Sequence, residues 1–135
     1  MSAAACQLGG RFSRCQQPPI EVCQYCGRHF CAAHSTYVEG HDAVCGRKLC
    51  RAKWDDLQVH LDYKARVSQR NQAGLCGIEG CGPHPGFQCS LCQGKFCGQH
   101  LSERLYPFRQ GYITIERPVS LCDRCWQRRK LWRGQ

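Results

Sequence analysis

The chain has 135 residues and a formal charge of +9, from 19 Lys and Arg against 10 Asp and Glu. Its apolar content is 42%, but 14 of those residues are cysteines. Without them roughly a third of the chain is left to build cores, too little for one large domain unless covalent or metal staples assist. No run of about 18 apolar residues occurs, which excludes a membrane-spanning helix. The start, MSAAACQLGGRFSRC, lacks the basic opening and long apolar stretch of a secretory signal.

Fourteen cysteines without an export signal point to thiols kept reduced, in the cytoplasm or, in a eukaryote, the nucleus, and to metal rather than disulfides. Their spacing agrees. Cys23–Cys26, Cys89–Cys92 and Cys122–Cys125 are each C-x2-C, which lets a tight turn offer two thiolates to one tetrahedral ion.

The first module supplies, in chain order, Cys6/Cys15, Cys23/Cys26, Cys31/His34 and Cys45/Cys50. A short hairpin is expected around Cys23–Cys26, with Phe30 packed beneath it. The stretch 49–72 has no Gly or Pro and places Trp54, Leu57 and Leu61 at i, i+3 and i+7. It predicts a helix of four to six turns, closed by Ala73-Gly74. The second module repeats the first. A shift of 66 superposes CQYCGRHFCAAH (23–34) on CSLCQGKFCGQH (89–100), both C-x2-C-x3-F-C-x2-H. It supplies Cys76/Cys81, Cys89/Cys92, Cys97/His100 and Cys122/Cys125, with Phe96 in the place of Phe30. Outside this core the offset drifts, since Cys6 answers Cys76 and Cys45/Cys50 answer Cys122/Cys125. The stretch 111–122 predicts a strand with Ile113 and Ile115 on one face, followed by a helix from near Cys122.

Sixteen ligands divide into four sets of four, so four Zn²⁺ ions are expected with no cysteine to spare. The domain reading is a zinc finger over 1–60, a helical linker over 61–73 and a second finger over 74–135. His41 is an alternative ligand to Cys45 or Cys50, whereas His29, His60 and His84 read as surface or packing residues.

The core C-x2-C-x3-F-C-x2-H resembles that of the FYVE finger, as does the C-x-x-C opening the terminal segment 120–132. Cys76-x4-Cys81 is similar to the in-between-RING finger of ubiquitin ligases, and Phe-Cys-x2-His to ubiquitin-associated fingers of stress-response proteins. These resemblances imply a small zinc-stabilised α+β fold: two tandem cross-brace, binuclear treble-clef fingers with a connecting helix. They also imply interleaving, with the first and third pairs of each module on one zinc and the second and fourth on the other. The basic motif of lipid-binding FYVE fingers is replaced by QPPIEVC and PHPGFQC, so phosphoinositide membrane binding is not expected. RING fingers have two residues between their second and third pairs, against four here.

With every zinc saturated, no activated water and no catalytic residue are expected, and no thiolate is spare for a covalent ubiquitin intermediate. The resemblances imply a zinc-dependent protein-interaction scaffold, at most a RING-like ligase, that meets a ubiquitin-like protein or its carrier enzyme. The alternatives are a structural subunit of a larger complex, or nucleic-acid binding through Arg124, Arg128, Arg129, Lys130 and Arg133, which are interleaved with Trp126 and Trp132. The global charge argues less for the latter than it first does. Fourteen zinc-bound thiolates and four divalent ions lower the formal +9 to +3.

Overall fold

The computed structural model describes residues 5–9, 15–82 and 84–132. The chain divides into two compact units, Met1–Gln58 and Val59–Gln135. Among the described residues no helix is long and apolar enough to cross a membrane.

In the first unit β1 (Glu21–Val22) pairs antiparallel with β2 (His29–Phe30). A 3-10 turn, Ala32–His34, leads to β3 (Ser35–Glu39), which pairs with β4 (Asp42–Cys45). The helix α1 then runs over Lys48–Gln72. The loop between β1 and β2 holds Cys23 and Cys26. It closes with Cys23 N–H donating to the Arg28 carbonyl (2.9 Å) and Gly27 N–H to the Cys23 carbonyl (2.9 Å). Phe30, Val44 and Cys45 are fully buried, and Trp54 of α1 stacks on Tyr37 with ring centroids 4.5 Å apart.

The second unit repeats this plan. β5 (Phe87–Gln88) pairs with β6 (Lys95–Phe96), and β7 (Leu101–Gln110) with β8 (Ile113–Cys122), before the short helix α2 (Asp123–Arg128). The repeat reaches individual hydrogen bonds. Gln24 N–H donates to the Ala43 carbonyl at 2.9 Å, and Ser90 N–H to the Ser120 carbonyl at 2.8 Å. Gln7 N–H donates to the His29 carbonyl, and Gly77 N–H to the Lys95 carbonyl. The drift in offset after the histidines has a simple cause. Five- and four-residue strands in the first unit become two ten-residue strands in the second. The step from histidine to the next cysteine grows accordingly from 11 to 22 positions.

One backbone position differs in residue type. Gly27 sits at φ +74, and its counterpart Gln93 holds the same left-handed conformation at φ +64, partly supported by its Nε2 donating to the Ser90 carbonyl (3.0 Å). Side chains with a Cβ are strained there. Gln93→Gly is expected to stabilise the zinc-loaded protein by about 0.5–1 kcal/mol, read from its urea midpoint at fixed excess zinc.

Of the three positions expected inward on α1, Trp54 and Leu57 are half-buried and Leu61 is 52% exposed. The inward face also includes Cys50, Lys53, His60, Tyr63, Val67 and Arg70, buried or half-buried. An apolar stripe could not reveal this face, because Lys53, His60 and Arg70 lie on it. Lys53 Nζ sits 5.9 Å over the Tyr25 ring and Arg124 Nε donates to His60 Nδ1 at 3.2 Å. The helix spans 25 residues, about seven turns. It stops at a Schellman cap: Gly74 takes φ +77, Leu75 N–H reaches the Arg70 carbonyl and Gly74 N–H the Asn71 carbonyl.

The boundary between the units falls inside α1, so the stretch read as linker, 61–73, lies in the second unit. There Val67 is buried among Cys76, Cys89 and Phe96. Gly77 and Gly94 allow that approach. A Cβ on Gly94 would lie 2.7 Å from Val67 Cγ1 and 3.1 Å from Phe96 Cε2, whereas one on Gly82 would meet nothing within 4 Å. Gly94→Ala is therefore expected to cost about 1–3 kcal/mol by overpacking. Gly82→Ala should be close to neutral in the same thermal or urea titration.

Candidate metal centres

The local structure explains how each ligand pair is presented. Cys23 and Cys26 stand on the loop between β1 and β2, and Cys31 and His34 flank the 3-10 turn that follows. Cys45 ends β4, and Cys50 is the third residue of α1. In the second unit Cys122 ends β8, and Cys125 is again the third residue of its helix, α2. The last pair of each unit thus joins a hairpin end to a first helical turn.

The side chains gather into four groups: Cys6, Cys15, Cys31 and His34; Cys23, Cys26, Cys45 and Cys50; Cys76, Cys81, Cys97 and His100; Cys89, Cys92, Cys122 and Cys125. Within each group the donor atoms all lie within 4.8 Å of one another. Sequence pairs one and three meet in each unit, as do pairs two and four.

Distances test whether zinc fits. Tetrahedral zinc with bonds of about 2.3 Å to sulfur and 2.0–2.1 Å to nitrogen places sulfurs about 3.8 Å apart and sulfur about 3.6 Å from nitrogen. The structure has Cys15–Cys31 at 3.7 Å, Cys26–Cys45 at 3.7 Å, Cys81–Cys97 at 3.7 Å and Cys92–Cys122 at 3.9 Å between Sγ atoms. His34 Nδ1 lies 3.5 Å from Cys6 Sγ and 3.3 Å from Cys31 Sγ. His100 Nδ1 lies 3.5 Å from Cys76 Sγ and 3.2 Å from Cys97 Sγ. Such separations suit a shared ion and are far beyond a sulfur–sulfur bond of about 2.05 Å, and all fourteen cysteines are free thiols. Two clusters of three cysteines with one histidine, and two made of cysteine alone, fit four zinc ions.

The surroundings favour the thiolate form at some positions and oppose it at others, burial pushing the Cys45 and Cys81 thiols up to about 11. Burial pushes the Cys97 thiol up, but hydrogen bonds from the Gln99 backbone, Cys81 and His100 outweigh it and bring it down to about 6. Burial likewise opposes ionisation of Cys23, and backbone hydrogen bonds at Cys45, Tyr25 and Cys26 lower it to about 7. At Cys31 burial again raises, while His34 lowers, to about 7. Groups poised to lose their protons near neutrality suit metal capture, which requires deprotonated sulfur.

Three residues outside the ligand pattern support the second unit's clusters. Arg70 donates from Nε to the Cys76 carbonyl (2.8 Å) and from its terminal nitrogen to the Cys81 carbonyl. Asn71 brackets β6, accepting from Lys95 N–H (2.9 Å) and donating to the Lys95 carbonyl (2.8 Å). Tyr63 buries its hydroxyl toward Cys122, without a hydrogen bond of normal geometry. Such contacts orient metal ligands. They carry no sequence signature, since an Arg-Asn pair at a helix end reads as solvated surface.

The other candidates fall elsewhere. His41 is exposed in the turn between β3 and β4 and joins no cluster. His84 is exposed and His60 is buried against Arg124. The C-terminal cations rest on the protein's own rings. Arg124 lies 5.5 Å over Tyr63, Arg129 3.6 Å over Trp126 and Arg128 5.5 Å over Trp132. Lys130 is exposed, and Arg133 lies outside the described residues. No protein-family model, curated protein or solved structure matches the chain.

Proposed function

We propose that this zinc-binding chain is a protein-interaction scaffold built from two cross-brace, treble-clef fingers. In this reading the four clusters hold their ions permanently, with Cys6, Cys15, Cys31 and His34, and the repeat-related Cys76, Cys81, Cys97 and His100, as the mixed sets. The observation that carries it is completeness. Each cluster offers four protein donors, which fills a tetrahedral shell and leaves no position for substrate or activated water. The ions then shape surfaces, and those surfaces bind.

The partner class is proposed to be a ubiquitin-like protein or its carrier enzyme, on the resemblance of the ligand pattern to fingers of that system. A ligase of this kind orients a charged carrier without bond chemistry of its own. Calorimetry of the zinc-loaded chain against a ubiquitin-like protein and a carrier enzyme, with discharge of the carrier thioester as a second readout, tests it. Binding with faster discharge is the expected result. Neither binding nor discharge would remove the conjugation assignment.

A second reading, nucleic-acid contact, is favoured by the stacked guanidinium groups around Trp126 and Trp132, since Arg beside aromatic rings suits phosphate and base together. It requires affinity for short single strands or duplexes that falls steeply with salt, with a slope reduced when Arg128 and Arg129 are neutralised.

A further inference from the structure

The two units differ most in their second hairpins, and the elaborated one is β7–β8. Its closing pair is Gln110↔Ile113, joined by Gly111-Tyr112 with Gly111 at φ +62. With Gly111 and not Tyr112 at positive φ the two-residue loop is a type II′ turn, whose flanking residues form a hydrogen-bonded pair. Counting inward from that pair, Leu105↔Pro118 and Pro107↔Glu116 fall at non-hydrogen-bonded positions, where backbone N–H groups face away from the partner strand. Pro107 and Pro118 each remove one such outward donor. Both open edges are thereby blunted against a third strand, which leaves the ribbon's two faces to be compared.

Those faces are chemically unlike. Cross-strand partners share a face, so one side carries Arg104 with Val119, Tyr106 with Arg117, Phe108 with Ile115, and Gln110 with Ile113. The other side carries Glu103, Leu105, Arg109 and Glu116. The first face is thus apolar with arginine as its only charge, and both carboxylates of the hairpin lie on the second. Tyr106 and Phe108 touch at 5.4 Å between ring centroids. Near the finger this face is covered where Val119 and Tyr106 pack on the unit's core, while Arg104 stays exposed, its guanidinium 5.0 Å from the centre of the Trp126 ring. Toward the tip the cover thins: Phe108 and Ile115 are half-buried and Ile113 is 66% exposed. Arg117 is exposed and has no carboxylate partner among the described residues.

We infer that this face of the β7–β8 ribbon docks an acidic, amphipathic segment of a partner protein, its apolar residues on Phe108, Ile113 and Ile115 and its carboxylates toward Arg104 and Arg117. This rests on the scaffold reading and deepens it by assigning the surface and the partner's chemistry. Charge complementarity decides the occupant. A symmetric pairing of this face with a second copy would gather four arginines and no carboxylate, whereas an apolar–acidic segment satisfies both parts of the face.

The zinc-loaded full chain would be used to select from a displayed library of random 12-residue peptides, and the enriched peptides synthesised. Enrichment of Asp and Glu among apolar residues is expected. Affinity should fall at least tenfold in Phe108→Ser combined with Ile115→Ser, and in Arg117→Glu, and should weaken with salt. Native mass spectrometry showing the same zinc content in each variant separates lost docking from lost folding. Peptides whose binding ignores these substitutions would overturn the assigned face and leave the scaffold reading standing. So would self-association in sedimentation that the same substitutions abolish. Failure to enrich any peptide would overturn the docking face, and, together with binding of an oligo-dT 20-mer or of phosphatidylserine vesicles, the scaffold reading as well.

Discussion

Chelation of zinc is expected to unfold both units. The buried side chains of each consist largely of ligand cysteines around one phenylalanine, Phe30 in the first and Phe96 in the second. Structural zinc in finger peptides contributes on the order of 10–16 kcal/mol per site at neutral pH, comparable with or above the whole net stability of a domain, about 5–15 kcal/mol. A strong chelator should therefore abolish the tertiary signal of the tryptophans, and restored zinc should recover it. Native mass spectrometry should show four ions on the loaded chain. A metal-free chain that keeps cooperative unfolding, or a loaded chain carrying two ions, would contradict the four clusters.

Loss of a single ligand should act within one unit and beyond one ion. Cys31 belongs to the group with Cys6, Cys15 and His34, yet it follows Cys26, a member of the neighbouring group, by only five positions. The strand between them, β2, holds the buried Phe30 that both groups surround. In Cys31→Ser the ion count should fall from four to three or fewer. The Cys23, Cys26, Cys45 and Cys50 group should lose zinc at least tenfold more readily to a competing chelator. Trp54, stacked on Tyr37 in the first unit, should report the change. Trp126, packed on the second unit's core, should not. Equal weakening of all four ions would mean that the units do not fold independently.

Thiol chemistry made the metal clusters readable from the sequence, because each ligand type is rare and its spacing is set by the reach of a turn. The pairing of ligand pairs, suggested by resemblance, agrees with the groups the side chains form. The strand β7 went unseen for the opposite reason. Pro107 and the charges at Glu103, Arg104 and Arg109 break every apolar alternation in 101–110, and only its pairing with β8 makes it a strand. The inward face of α1 was hidden by its polar members, buried (Lys53, His60) or half-buried (Arg70), each with a specific partner: an aromatic ring for Lys53, Arg124 for His60, two carbonyls for Arg70. Partners of this kind are distant in sequence, and the period of a helix says nothing about them. The repeat's uneven offset beyond His34 and His100, visible as an arithmetic irregularity, needed the two hairpin lengths to acquire a cause.

The position of the unit boundary inside α1 bears on how the protein emerges from a ribosome. All ligands of the first unit exist once Cys50 has been made, so it can load zinc while the rest of the chain is still being added. The half of α1 beyond Gln58 must then wait. Its partners, Gly77, Gly94 and the Lys95 backbone, come later, and the last ligand of its own unit is Cys125. During that interval the helix is held by its first part alone, through Cys50 and the packing of Lys53 and Trp54 on Tyr25 and Tyr37. A fragment cut at residue 74, where the repeat itself begins, would lack Val67, Arg70 and Asn71, whereas one cut at residue 59 would keep them.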